Sequence, residues 1–90
     1  MKIVTICGAG IGSSGILRVN AERVLRKLRI EADVVAADVT TIAEVAADAQ
    51  VILTSQELVG AIGRTNADVV VIDNYFDLEE ITAKLEIAVG

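Results

Sequence analysis

Four short apolar runs, each followed by a segment of different periodicity, constrain this chain more than anything else in it. Residues 2–7 (KIVTIC), 32–37 (ADVVAA), 50–54 (QVILT) and 68–73 (DVVVID) are rich in β-branched residues and are bounded by glycine or polar residues, which predicts four strands. Between the first two, from residue 14 to about 29, Leu17, Ala21, Val24, Leu25 and Leu28 recur at helical spacing, with Arg18, Glu22, Arg26 and Arg29 on another face. Further helical patterns begin near Thr41, Ser55 and Asp77. Strands that alternate with helices return through right-handed crossovers and form a parallel sheet covered on both faces. The expected fold is therefore a small α/β, flavodoxin-like three-layer domain. It has a four-stranded parallel sheet in the order 2-1-3-4, which puts the strongly apolar first strand inside, and Val69–Ile72 is expected as a continuous buried strand.

Ninety residues suffice for one modest core, so residues 1–90 are expected to form a single domain. With one Phe, one Tyr and no Trp, that core must be built from Val, Ile, Leu and Ala. The net charge of −5 argues against nucleic acid as a partner. The basic residues are nonetheless concentrated: Arg18, Arg23, Arg26, Lys27 and Arg29 are five of the eight. That face could meet an acidic or phosphate-bearing surface, but a solvated helix face is the favoured reading, with Glu22 paired to Arg18 and Arg26 and with Lys27 and Arg29 suited to the helix C-terminus. No run approaches the ~20 apolar residues of a membrane span, so insertion into a membrane is not expected. A single Cys and no His leave no usual zinc or iron–sulfur ligand set; neither metal nor organic cofactor is expected, and a reducing cytoplasm is the simplest setting.

The chemistry-bearing stretch is TICGAGIGSSG, residues 5–15, where the lone cysteine follows the first strand and precedes a glycine loop. Three other helix starts fit capping boxes, Thr41 with Glu44, Thr54 with Glu57 and Asp77 with Glu80. The helix after the cysteine loop differs, because Ser13 and Ser14 can cap it yet no acidic residue appears before Glu22. Converging amides from a glycine loop and a helix start without a carboxylate make an anion cradle, suited to a phosphate or a thiolate. The same field favours the ionised form of Cys7, so the thiol needs no histidine beside it. The alternative is a small apolar residue ending a buried strand before a tight turn.

Cys7 to Ser14, CGAGIGSS, resembles the phosphocysteine loop of enzyme IIB subunits of the sugar phosphotransferase system. Its spelling, C-G-x-G-x-G-S-S, is most similar to the ascorbate-type branch of the lactose/ascorbate/galactitol set. The resemblance extends through the β/α alternation to the closing VIDNYFDLEEITAKL. It implies a cytoplasmic phosphoryl relay, peripheral to the inner face of the membrane. Cys7 would accept a phosphoryl group from a phosphohistidine on a IIA protein and pass it to a sugar, ascorbate-like or a pentitol or hexitol, held by a membrane-embedded IIC partner. Gly8, Ala9, Gly10, Ile11, Gly12, Ser13 and Ser14 would form the phosphate-binding loop.

Two rival motifs fit less well. GIGSSG, residues 10–15, is a literal G-x-G-x-x-G, with Glu31 and Asp33 about 20 residues on, but four strands cannot supply a second mononucleotide-binding half. A small cysteine phosphatase needs an arginine six residues after the cysteine to clamp phosphate, and that position is Ser13. A non-catalytic adaptor that binds phosphate or a protein through the same loop is the reading of a different class. Ser55, Asp73 and Asn74 should neighbour the loop by topology, although turn and capping roles also account for them.

Overall fold

The computed structural model describes residues 1–6, 13–37, 41–63 and 65–89, with residues 13–15, 43 and 89 described by their backbone. Four strands, β1 (Lys2–Ile6), β2 (Asp33–Ala37), β3 (Val51–Thr54) and β4 (Asp68–Val71), form one parallel sheet in the order β2-β1-β3-β4, as the sequence predicts. The register runs Ile6 beside Ala37 and Thr5 beside Leu53, with Thr54 beside Val71. The carboxyl ends of all four strands therefore lie along one edge.

Helices α1 (Ser13–Lys27) and α4 (Leu78–Val89) cover one face, and the shorter α2 (Ile42–Val45) and α3 (Val59–Ile62) lie on the other. Strand alternation divides the core accordingly. Ile3, Val51 and Leu53 pack with Leu17, Leu25, Ile81 and Leu85 on the α1/α4 side. Val4, Ile6 and Ile52 pack with Ile42, Ala46 and Ile62 on the other. Leu17, Ala21, Val24 and Leu25 are all buried, so the stripe that predicts α1 is the one that meets the sheet.

Two expectations are corrected. The run Val69–Ile72 is not a continuous buried strand: among the described residues β4 pairs with β3 alone, Val69 is 37% exposed, Val70 and Val71 are half-buried, and of the four only Ile72, just past the strand, is buried. An apolar run has the same composition at an edge as at a centre, and the single turn of α3 is too short to roof it. Of the three capping boxes, only Asp77 caps with its side chain, its Oδ1 accepting from the amides of Glu79 at 3.1 Å and Glu80 at 3.2 Å. Thr41 occupies its cap position, but its side chain makes no capping hydrogen bond to the helix. Thr54 is the last residue of β3, its hydroxyl buried and without a hydrogen-bond partner among the described residues, and Ser55 takes the cap position instead.

Helix α1 ends two residues before the predicted boundary, in a Schellman turn. The Ile30 amide donates to the Leu25 carbonyl at 2.9 Å and the Arg29 amide to that of Arg26 at 3.2 Å. Arg29 sits at φ 60°, a left-handed conformation that glycine adopts without penalty. Arg29→Gly is therefore expected to raise stability by roughly 0.5–1 kcal/mol, read as a higher midpoint in urea unfolding.

Candidate functional site

The strand ends place Ile6, Thr54 and Val71 along one edge of the sheet, and α1 begins at this edge because six residues, 7–12, join Ile6 to Ser13. Ser13 and Ser14 open the helix, and its first turn carries no acidic residue, whereas its last turn carries Arg26 and Lys27. By contrast, α4 holds Glu79 and Glu80 in its first turn and α2 holds Glu44. The helix that follows the cysteine segment thus presents its positive end without a carboxylate in its own first turn. Cys7, Gly8, Ala9, Gly10, Ile11 and Gly12 lie outside the described residues, as do the side chains of Ser13 and Ser14.

Around this edge, the segment after β4 is held by a charged network. Glu80 accepts from the Asp73 amide at 2.7 Å through Oε2 and from the Asn74 amide at 3.0 Å through Oε1. Lys84 donates to the same Oε2 and to the Val71 carbonyl, each at 2.6 Å, and lies 3.8 Å from Asp73. Asn74 Oδ1 in turn accepts from the Phe76 amide at 3.0 Å. Asp73 and Asn74, expected near the loop by topology, are exposed and serve this turn, while Ser55 is half-buried after β3.

Burial pushes the Glu80 carboxyl up, but the Lys84 hydrogen bond, the two backbone amides and the Lys84 charge together outweigh it and leave its pKa lowered. The hydrogen bond that Lys84 donates to Glu80 raises the pKa of Lys84 against the effect of burial. A lowered acid contributes stability that is present above its unfolded pKa and disappears as pH falls through the folded one; a raised lysine contributes stability below its unfolded pKa that is lost as pH rises through the folded one. Glu80→Gln is accordingly expected to cost about 1 kcal/mol at neutral pH, with the gap to wild type closing on acidification through the carboxylate range. Urea unfolding of both proteins across that range measures it.

Two residues of the site were not singled out by the sequence. Asn20, buried on α1, donates from Nδ2 to the Tyr75 carbonyl at 2.7 Å. The Tyr75 hydroxyl donates to the carbonyl of Ile6, the residue before Cys7, at 3.4 Å. The available signal was a polar residue on the apolar stripe: Asn20 follows Leu17 by three and precedes Val24 by four. The basic face of α1 remains solvated, with Arg18 paired to Glu22 at 2.9 Å and Arg23, Arg26 and Lys27 exposed. A hollow of about 760 Å³ lies at the opposite end of the sheet, where Arg26 and Arg29 mix with Glu22, Glu31 and Asp33. That lining selects no single charge, and it is remote from α1's first turn.

Among the described residues no helix is long and apolar enough to cross a membrane. No curated protein sequence matches the chain. Among solved structures, the chain is similar to the lactose-specific IIB component domain of the phosphoenolpyruvate:carbohydrate phosphotransferase system from Streptococcus pneumoniae. The TM-score is 0.65 at 13% identity, over 97% of this chain and 92% of that one, a likeness of fold. The family model described as "PTS system, Lactose/Cellobiose specific IIB subunit" matches residues 2–87. That description is of the lactose/cellobiose type, whereas the loop spelling pointed to the ascorbate-type branch. With the parallel sheet in the expected order and a family match over nearly its whole length, the chain belongs to the lactose/cellobiose-specific IIB family of the sugar phosphotransferase system.

Proposed function

We propose that this chain is a phosphoryl-relay subunit, one IIB domain over residues 1–90, in which Cys7 carries the phosphoryl group. The thiolate attacks the phosphorus of a IIA phosphohistidine, so the N–P bond breaks as the S–P bond forms. A hydroxyl of a sugar held by the membrane IIC protein then takes the group, so that an O–P bond replaces the S–P bond and the hydroxyl proton leaves. Gly8, Ala9, Gly10, Ile11 and Gly12, with the amides of Ser13 and Ser14, would hold the phosphoryl oxygens. The observation that carries this reading is the start of α1 at the carboxyl edge of the sheet, with no acid in its first turn, directly after the cysteine segment. Ser13 in place of an arginine removes the clamp a cysteine phosphatase uses, which favours delivery over hydrolysis. The protein would work in the cytoplasm at the inner face of the membrane through IIC.

The test is incubation with phosphoenolpyruvate, the general phosphotransferase proteins and a lactose-type or ascorbate-type IIA, followed by intact-mass and peptide analysis. A phosphoryl adduct on Cys7 is the expected result, and the IIA that supplies it faster assigns the branch. Rapid turnover of an aryl phosphate by the protein alone would instead identify a phosphatase. Phosphate binding without any adduct would identify an adaptor.

A further inference from the structure

We infer that Tyr75, held by Asn20, is a positioning residue for Cys7: it ties the end of β1 to α1 and so sets the separation that the cysteine segment must bridge. The inference rests on Cys7 being the phosphoryl acceptor. Residues 7–12 start from Ile6 and end at Ser13, so the placement of their two anchors governs where the thiol stands relative to the amides opening α1. Tyr75 binds both sides. Its hydroxyl donates to the Ile6 carbonyl at 3.4 Å, and its own carbonyl accepts from Asn20 Nδ2, about two turns into α1, at 2.7 Å.

The rest of the surroundings hold Tyr75 in place. Its ring packs against the α1/α4 core, and the turn that carries it is fixed on both sides, by Glu80 on the amides of Asp73 and Asn74 and by Asp77 capping α4. Asn20 is only 9% exposed, in a stripe otherwise made of Leu17, Ala21 and Val24. A carboxamide there gives up apolar burial for one directed bond, and that bond reaches the tyrosine that donates to Ile6, the residue before Cys7. The field of a helix start falls off within its first turn, and transfer chemistry is sensitive to displacements of an ångström. A brace that keeps β1 and α1 in register therefore acts directly on the nucleophile's ionisation and approach.

The experiment uses the full chain with Tyr75→Phe, which keeps the ring and removes the hydroxyl, and Asn20→Leu, which keeps the size and removes the donor without adding a charge. Arg23→Ala, on the exposed face of α1, serves as the control. Two quantities are read: the pH midpoint of Cys7 alkylation by iodoacetamide, and the rate of phosphoryl uptake from phosphorylated IIA. In both variants the midpoint should rise by about one unit, equivalent to about tenfold less thiolate below the midpoint. The uptake kcat should fall by a similar factor with KM for IIA unchanged, while Arg23→Ala matches wild type. Wild-type values in both variants, or a lower melting temperature with neither quantity moved, overturn the inference. If wild type itself takes up no phosphoryl group, the functional reading fails, while the positioning of Cys7 by Tyr75 and Asn20 is still decided by the alkylation midpoints.

Discussion

Replacing Cys7 by Ser is expected to abolish phosphoryl uptake, by ~10³-fold or more, while leaving the fold and the affinity for IIA unchanged. The two side chains have nearly the same shape but differ in ionisation. A thiol near the positive end of a helix reaches its anionic form close to neutrality, whereas a serine hydroxyl needs a neighbouring base. The chain contains no histidine to serve as one. In the proposed relay the acid-free first turn of α1 would favour a charged sulfur and later the phosphoryl oxygens, but it would do little for an alcohol that stays protonated. Intact-mass measurement after incubation with phosphorylated IIA, together with circular dichroism and a binding titration, checks all three parts. Uptake by the serine variant at the wild-type rate would remove Cys7 from the reaction.

The largest loss of stability is expected from Leu17→Ala. Leu17 is fully buried where α1 meets the sheet, packed with Ile3, Leu53, Ile81 and Leu85. Removing its isobutyl group loses apolar burial and leaves a cavity lined by side chains anchored in β1, β3 and α4, a cost of about 3 kcal/mol. For a domain of this size that lowers the melting temperature by roughly 15 °C and removes a large share of a total near 5–10 kcal/mol. Ile16→Ala, one residue away but 38% exposed, should stay within about 0.5 kcal/mol of wild type. Thermal and urea unfolding of the two variants side by side gives the comparison; equal losses would mean that α1 does not bury the face its periodicity indicates.

What could be read from the sequence was what depends on local pattern. The period of Leu17, Ala21, Val24 and Leu25 places α1, and the alternation of apolar runs with helical segments leads to a parallel sheet whose order the structure reproduces. Features that depend on remote partners were out of reach. Nothing in Val69–Val71 distinguishes an edge strand from a central one, because the difference is made by what stands on its far side. Thr54 and Glu57 have the spacing of a capping box, but β3 runs through Thr54 and takes its backbone for the ladder. Glu80 was expected to reach back to the start of its own helix, and its carboxylate instead holds the amides of Asp73 and Asn74. Asn20 and Tyr75 are 55 residues apart, and only the crossover that packs α4 beside α1 brings them together. For the candidate site, the proposed roles of residues 7–14 were read from their letters, while the tyrosine that donates to the Ile6 carbonyl comes from the tertiary fold.

The Lys84 contact with β4 bears on how the sheet ends. The amides of Asp68 and Ile72 donate inward to Gln50 and Thr54, so Val71, out of phase with both, turns its carbonyl outward. Lys84 occupies that acceptor with an ammonium group, and Asp68 sets a carboxylate at the other end of the strand. A β-prone segment from another molecule would find a docking rail only two or three residues long, guarded by opposite charges. The valine-rich margin thereby offers a neighbouring strand little to extend into a ribbon.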